Sequence, residues 1–544
     1  MKDSEPAPAP KLVDWTVGEL LRRTAARMPG NPAMTWGEER WSYEEMDRRV
    51  DALALRLIAW GVRRGERVAL WRETDPDTLF LLFALARMGA VTVMPNTSLE
   101  PRELERLLRR SGVDFLIIGD GYKEIRYPAV CRNLRERLPK LREILYLGAE
   151  PCLPEYRDEA GWMTHAALPE ALAAAEQEVR PEDTAFLLYT SGTTGRVLGV
   201  LGSHRSWTNS GIQQAADLSA GEKDRFCVAM PVFHCFGLSV NVMAACAAGA
   251  CLCLPESRRT SALLKTVREQ RCTILSCVPA LYRAMLSRPD FADWDLSSLR
   301  TGFIGGSLCP PALFCQIEEA FHFTLLSSLG QTEATAGITA ASPEDTLKVR
   351  AETVGRFMAR LEGGIFDPES GRALAAGRSG EIRVRGYGVM QGYEGMPEET
   401  AKTVDGDGWL CTGDLGWQDE AGNIHLAGRL KELIIRGGEN ISPAELEAVL
   451  GEDPGILACK AVGVPDDHYG EEVCLCVELR RGETRMQEDI LARLRGRVAY
   501  FKLPRYLLFF DALPRTATGK IKPRETAALA RERLGLSGPD CENK

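Results

Sequence analysis

The chain predicts an α/β protein built on a largely parallel, doubly wound sheet, followed by a β-rich stretch and a second, smaller α/β unit. Three observations carry that expectation. Runs at helical spacing alternate with short β-rich runs through the first 350 or so of the 544 residues, the signature of βαβ units. After about Thr353 the helical runs thin out and turn signals crowd together. Beyond Gly428 a compact α/β pattern returns. A chain of this length also exceeds what one core usually fills.

Residues 16–28 and Tyr43–Trp60 carry apolar side chains at helical spacing, each run ending near Gly or Pro. The interleaved β-rich runs are Arg67–Trp71, 115–119, 143–147, 184–189, 226–230 and 273–278. In the next stretch Asp367-Pro368, Glu369-Ser370-Gly371 and Asp405-Gly406-Asp407-Gly408 separate short strands. The last unit reads from residues 445–450, 461–464, 473–479 and 490–498, with the domain boundary placed at 428/429. Residues 1–10, charged and Ala/Pro-rich, read as a disordered tail without the apolar stretch of a secretory signal.

Composition narrows the function. Apolar residues make up 45% and charged residues 26%, ordinary soluble-globular usage. A net charge of -9 disfavours binding to nucleic acid. The sixteen cysteines include no C-x-x-C pair, and Cys251/Cys253 and Cys474/Cys476 stand one residue apart. They read as reduced thiols of a cytoplasmic protein. The stretch 235–254 lacks charge for twenty residues, the minimum for a membrane span. Gly249 and Pro255 favour a buried helix followed by a buried strand.

Five motifs carry chemistry. Tyr189-Thr190-Ser191-Gly192-Thr193-Thr194-Gly195 follows an apolar strand, and its hydroxyls and glycine amides can wrap a polyphosphate, although a polar surface turn would look the same. It is not a G-x-x-x-x-G-K-[ST] loop. Gly330-Gln331-Thr332-Glu333 offers a carboxylate of the kind Mg²⁺ prefers. In Gly408-Trp409-Leu410-Cys411-Thr412-Gly413-Asp414, a turn presents an Asp able to accept hydrogen bonds from two ribose hydroxyls. Gly428-Arg429-Leu430-Lys431-Glu432 precedes Arg436-Gly437-Gly438-Glu439-Asn440, after which Ser442, Pro443 and Glu445 read as helix cap, first residue and capping-box acid. Leu513-Pro514-Arg515-Thr516-Ala517-Thr518-Gly519-Lys520 closes the set. Each alone has a plain structural reading.

In this order and spacing, the five together resemble the adenylate-forming superfamily of acyl-CoA and aryl-CoA synthetases, peptide-synthetase adenylation domains and beetle luciferases. The resemblance runs from about Thr16 to Arg524. It implies a large N-terminal domain of two doubly wound sheets with a distorted β-barrel, and a small mobile C-terminal domain. It implies ATP, Mg²⁺ and coenzyme A as reactants and cofactors, with no transmembrane segment and with a homodimer left open. By the same resemblance, Thr190, Ser191, Gly192, Thr193, Thr194 and Gly195 match the phosphate loop. Glu333 matches the metal ligand and Thr332 an α-phosphate contact, beside Leu329, Gly330 and Gln331 at the nucleotide. Asp414 and Arg429 match the ribose pair, and Lys520 matches the catalytic lysine bridging α-phosphate and carboxylate. Lys431 falls at the hinge and Gly437 and Gly438 beside the coenzyme A channel. His234 matches a catalytic-site residue at the mouth of the acyl pocket, and Gly306 and Ser307, after Gly305, match the strand end separating acyl chain from adenine.

Two departures stand out. Where the family's loop continues with Pro-Lys, this chain has Val197-Leu198, so a cation expected near the pyrophosphate is missing and Leu198→Lys is expected to speed adenylation, unless Arg196 already serves. Where an aromatic residue precedes Gly-x-Thr-Glu, this chain has Leu329, which forfeits a stacking contribution of ~0.5–1.5 kcal/mol. The segments Phe233–Gly237 and Val278–Tyr282 look most like those of medium-chain fatty acyl-CoA synthetases, and the small residues Ala244, Ala245, Ala247 and Ala248 would leave room for a chain. An aryl-CoA ligase, an adenylation enzyme loading a carrier protein and a non-catalytic acyl-adenylate sensor are the alternatives.

Overall fold

The structure, a computed structural model, describes residues 9–149, 162, 166–191, 197–307, 309, 311–430, 434–441, 443–515 and 521–536. Among them, two large sheets dominate. The seven-stranded sheet has a parallel centre in which Thr184–Ser191, Val91–Met94, Arg67–Trp71, Phe115–Ile118 and Glu143–Tyr146 are successive neighbours. The nine-stranded sheet runs parallel from Thr324–Leu329 through Thr301–Ile304, Ile274–Leu275, Arg225–Cys227 and Cys251–Leu254 to Pro32–Trp36, with antiparallel strands at both edges. Strands covered on both faces are apolar along their length. Val91–Met94, Phe115–Ile118 and Cys251–Leu254 are buried at every position.

The helices follow their end signals. Val17–Arg27 starts at a Thr16/Glu19 capping box, and Tyr43–Trp60 starts at a Ser42/Glu45 box and stops at Gly61, whose φ of 103° suits glycine. Pro76–Arg87 is buried on all sides because it lies between other helices and the sheet. The uncharged stretch 235–254 resolves into a π-helix, Phe236–Met243, then Ala244–Ala248, a left-handed Gly249 and the strand Cys251–Leu254. No helix among the described residues is long and apolar enough to cross a membrane. The described cysteines are free thiols. Two strands are shorter than their apolar runs: Arg225–Cys227 stops three residues early, and Ile274–Leu275 is interrupted at Ser276, whose hydroxyl accepts from the Phe303 amide, before Cys277 bridges Ile304.

The β-rich stretch forms a four-stranded antiparallel sheet of Leu361–Phe366, Gly380–Gly386, Leu410–Gln418 and Ile424–Arg429. The last sheet gathers Glu439–Ile441, Ile434–Arg436, Gly470–Leu479, Ile456–Asp466 and Tyr506–Phe510, covered by Pro443–Leu450, Gln487–Leu494 and Pro523–Leu534. Ser442, read as a helix cap, lies outside the described residues; Pro443 opens its helix as expected.

An ion network fastens the N-terminal helices to one another. Arg87, its side chain wholly buried, pairs with Asp47 and with Asp51 at 2.6 Å, while Arg22 reaches Asp51 at 2.8 Å and Glu176 at 2.7 Å. Removing a buried partner strands charge in a low-dielectric interior. Arg87→Met is therefore expected to destabilise this unit by about 3–5 kcal/mol. The half-exposed Arg22→Met should cost well under half as much, and the shift of the urea midpoint at unchanged slope is the measurement.

Candidate active site

Parallel strands present their carboxyl ends to one crevice, the usual ligand position in doubly wound sheets. Here Asn96, Gly305 and Gly330, each just beyond such a strand, line a cavity of ≈ 850 Å³. The segment expected to hold phosphate is entered by Thr184–Ser191 and left by Val197–Ser203, antiparallel neighbours with Ser191 opposite Val197 and Thr190 opposite Leu198. Thr190 and Leu198 both line the cavity, whereas Gly192, Thr193, Thr194, Gly195 and Arg196 lie outside the described residues.

Across the cavity, Gly330-Gln331-Thr332-Glu333 turns sharply. A Cβ on Gly330 would stand 2.0 Å from the Ala336 carbonyl oxygen, so only glycine lets the chain double back there. Thr335 and Ala336 hold positive φ angles of 47° and 71° to complete the turn. The result brings Gly330, Gln331, Thr332 and Glu333 to the cavity wall. The Tyr393 hydroxyl donates to Glu333 Oε1 at 2.9 Å, and the Thr332 hydroxyl lies 3.5 Å from Cys235 Sγ. Burial, then the neighbouring carboxylate, pushes the Tyr393 phenol up, so it stays a donor. Burial pushes the Cys235 thiol up to about 11, which makes it a neutral wall rather than a nucleophile.

Strand alternation sorts the residues around this turn. Ser328 faces the cavity and Leu329 faces away, buried with Ile338, Ile365 and Val384. The leucine expected to pack adenine thus belongs to the core of the antiparallel sheet. Gly306 lines the cavity with a φ of 79°; Ser307, one residue on, does not. The four alanines expected to leave room for a chain do not line it either: Ala244 and Ala245 are buried in the main core, and Ala247 and Ala248 pack against it. Phe236 and Val240, one π-helical turn apart, supply that wall instead.

Asp414 and Arg429, the pair expected at the ribose, stand opposite each other on antiparallel strands. Thr412 fixes that end: its hydroxyl donates to the Ile382 carbonyl at 2.6 Å and accepts from the Asp414 amide at 3.1 Å. Asp414 is buried just behind Thr412 and Gly413, which line the cavity. Lys431 and Lys520 lie outside the described residues.

The C-terminal sheet closes the cavity with its first hairpin. Gly437 and Gly438 have φ of 58° and 87°, and a Cβ on Gly438 would stand 2.8 Å from Val278. Glu439 meets His234 Nε2 at 3.1 Å. Burial works against its charge, but the His234 imidazole, Arg258 and Asn96 hold the carboxyl below its ordinary value. Sequence reasoning passed over the main fastening. The Lys502 ammonium, almost wholly buried, lies 2.8 Å from Glu445 on its own side and 3.2 Å from Glu103 on the helix Pro101–Ser111 of the large unit. Burial pushes the Glu103 carboxyl up, and the two carboxylates outweigh burial to push the Lys502 ammonium up. A lysine in an ordinary-looking Phe-Lys-Leu-Pro run gives no signal of this in the sequence.

Comparison with known proteins decides the family. The AMP-binding enzyme family matches residues 21–394, and the AMP-binding enzyme C-terminal domain matches residues 445–520. The chain belongs to the AMP-binding enzymes. Among similar proteins, Bacillus subtilis (strain 168) YngI, itself only provisionally named an acyl-CoA synthetase, is 35% identical over 97% of this chain and 99% of its own. A medium-chain acyl-CoA ligase of rat mitochondria, ACSF2, is 34% identical over 94% of this chain and 87% of its own. A double mutant of o-succinylbenzoate CoA synthetase from Bacillus subtilis, solved with a product analogue, aligns at a TM-score of 0.80 and 25% identity over 94% of this chain and 98% of that one.

The donors facing the cavity fit magnesium as this family would use it. Among the described residues no three His, Cys, Asp or Glu side chains are grouped to hold a metal. One carboxylate, Glu333, with the hydroxyl of Thr332 beside it, suits an ion whose other ligands are water and substrate phosphate.

The Lys502 triad yields a direct test of how the small unit sits. Lys502→Met leaves Glu103 and Glu445 buried without their cation, a change of about 3–5 kcal/mol against the docked arrangement. The small-angle scattering radius should grow and proteolysis near residue 431 should quicken; an unaltered profile would reject the triad as the fastening.

Proposed function

We propose that this AMP-binding enzyme is an ATP-dependent acid–thiol ligase that adenylates a medium-chain fatty acid and passes the acyl group to coenzyme A, releasing AMP and pyrophosphate. One observation carries the reading: a single cavity holds Thr190 of the phosphate loop, Thr332 and Glu333, and is capped by Gly438 and Glu439 of the C-terminal sheet. Two half-reactions at one centre need that arrangement of parts.

In the first step a carboxylate oxygen attacks the α-phosphorus of ATP and the bond to pyrophosphate breaks. Magnesium bound at Glu333 would neutralise phosphate charge. Thr190 and Thr332 present hydroxyls to the phosphates, Asp414 and Arg429 hold the ribose, and Lys520 draws carboxylate and α-phosphate together as charge builds. In the second step the coenzyme A sulfur attacks the acyl carbon and AMP leaves. Gly437 and Gly438 let the pantetheine arm pass between hairpin and large unit, and the exchange between steps is a rotation about Lys431.

The acyl class rests on chemistry at the wall and on a relative's name. Phe236, Val240 and Met230 give the cavity an apolar side, and the rat relative is named a medium-chain ligase. The o-succinylbenzoate enzyme supplies the second reading, an aryl acid in the same space. Pyrophosphate release measured over saturated acids of graded length and over benzoates, each with and without coenzyme A, separates them. A maximum at intermediate length supports the first reading and a preference for benzoates the second; no release with any acid would defeat both.

Lys520→Ala is expected to cut adenylation by roughly three orders of magnitude, the cost of a preorganised charge at the reacting centre. Acyl-CoA formation from supplied acyl-adenylate should persist. Rapid-quench assay of each half-reaction is the measurement, and equal loss in both would remove Lys520 from the role given to it.

A further inference from the structure

Leu198 stands where the family resemblance leads one to expect a lysine, and the structure brings a cation from another element beside it. Arg110, near the C-terminal end of the helix Pro101–Ser111, crosses to the hairpin and donates from Nη1 to the carbonyl of Val197, next to Leu198. Its Nη2 rests on the Met396 thioether. Arg110, Thr190, Leu198, Thr332 and Glu333 line one cavity.

Two nearby cations are otherwise engaged. Arg67 is paired with the buried Glu394, and Lys402 lies 2.7 Å from Glu399. Arg106 lines the cavity from one helical turn earlier, without a hydrogen bond to the hairpin among those described. Among the described residues Arg110 is the cation bound to the strand that leaves the loop. A guanidinium has five donors, and the Val197 carbonyl occupies one of them.

Leu198 gains a purpose in this arrangement. It packs with Met396 on a small apolar cluster of Val200, Met390 and Tyr393. Arg110, itself exposed, rests through Met396 on the edge of this apolar cluster, which suits a weakly hydrated guanidinium. A lysine at 198 would put a second cation against the first.

Building on the adenylation reading above, we propose that Arg110 supplies, from outside the loop, the positive charge that meets the leaving pyrophosphate of ATP. Arg110 would then be a specific phosphate-contacting residue of the first half-reaction, and Leu198 the positioning residue beneath it. This reverses the expectation that Leu198→Lys alone is beneficial.

The test uses the full-length chain with ATP, magnesium and whichever acid gives most pyrophosphate in the panel. Arg110→Ala should slow single-turnover adenylation about ten- to a hundredfold, the rate equivalent of one charge-assisted hydrogen bond. Thioester formation from supplied acyl-adenylate reports folding and should keep its rate. Arg110→Lys should recover part of the loss, and Leu198→Lys placed in the Arg110→Ala chain should restore most of it, because the charge returns from the loop side. Full adenylation by Arg110→Ala, equal loss in both half-reactions, absence of rescue in the double variant, or a clear acceleration by Leu198→Lys alone would each overturn the proposal. Pyrophosphate release by the unaltered chain tests the adenylation reading separately.

Discussion

The buried ammonium of Lys502, between Glu103 and Glu445, is the contact on which the closed form of this molecule turns. Among the described residues, the other contacts that join the small unit to the large one are weaker in kind. The Glu439–His234 contact keeps about a quarter of each side chain exposed and is an ion pair only while the imidazole carries a proton, and the Gly438–Val278 approach is a packing limit rather than an attraction. One cation facing two carboxylates in a dry seam is strong once made and costly to leave half-made. It therefore favours a discrete docked state over a continuum of loose ones. The proposed two-step reaction, with one face shown for adenylation and another for thioester formation, would need that discreteness.

The large sheets and the segments that cap them were legible in the sequence because burial on both faces writes itself as continuous apolar runs. The helical spacing over residues 16–28 and Tyr43–Trp60 placed those two helices to within a residue, and the structure adds the Thr16/Glu19 and Ser42/Glu45 capping boxes that start them. Legibility failed where a side chain's direction matters more than its identity. Leu329 and Leu198 both replace residues with a role at the nucleotide, and in the sequence they look like equal departures. Strand alternation makes them opposites, since Leu329 turns into the antiparallel sheet's core and Leu198 turns toward the cavity. The alanine-rich stretch failed similarly: small residues signal close approach, and the close approach here is of helices to each other.

Residues that act from a distance in sequence were the least legible. Lys502, Glu103, Tyr393 and Arg110 sit in no motif, and each acquires meaning only when another segment is brought against it. Tyr393 shows why. It follows the loop segment that donates from Met390 to the Glu333 carbonyl, so the backbone contact and the phenol–carboxylate contact together hold the Gly-Gln-Thr-Glu turn in place. The motif states which residue carries the carboxylate; the unremarkable stretch around Gly392 decides where it points.

The helix Pro101–Ser111 joins these observations. On successive turns of one face it offers Glu103 to the C-terminal sheet, then Arg106 and Arg110 to the cavity, the i, i+3, i+4 geometry that aligns side chains along a helix. A single rigid element thus touches the fastening of the small unit at one end and the phosphate hairpin at the other. Ordering of the phosphates against Arg110 and seating of Lys502 against Glu103 would draw on the same helix, two turns apart. On the proposed reading, departure of pyrophosphate would free one end of a helix whose other end seats the small unit, because Glu103 and Arg110 share that one element.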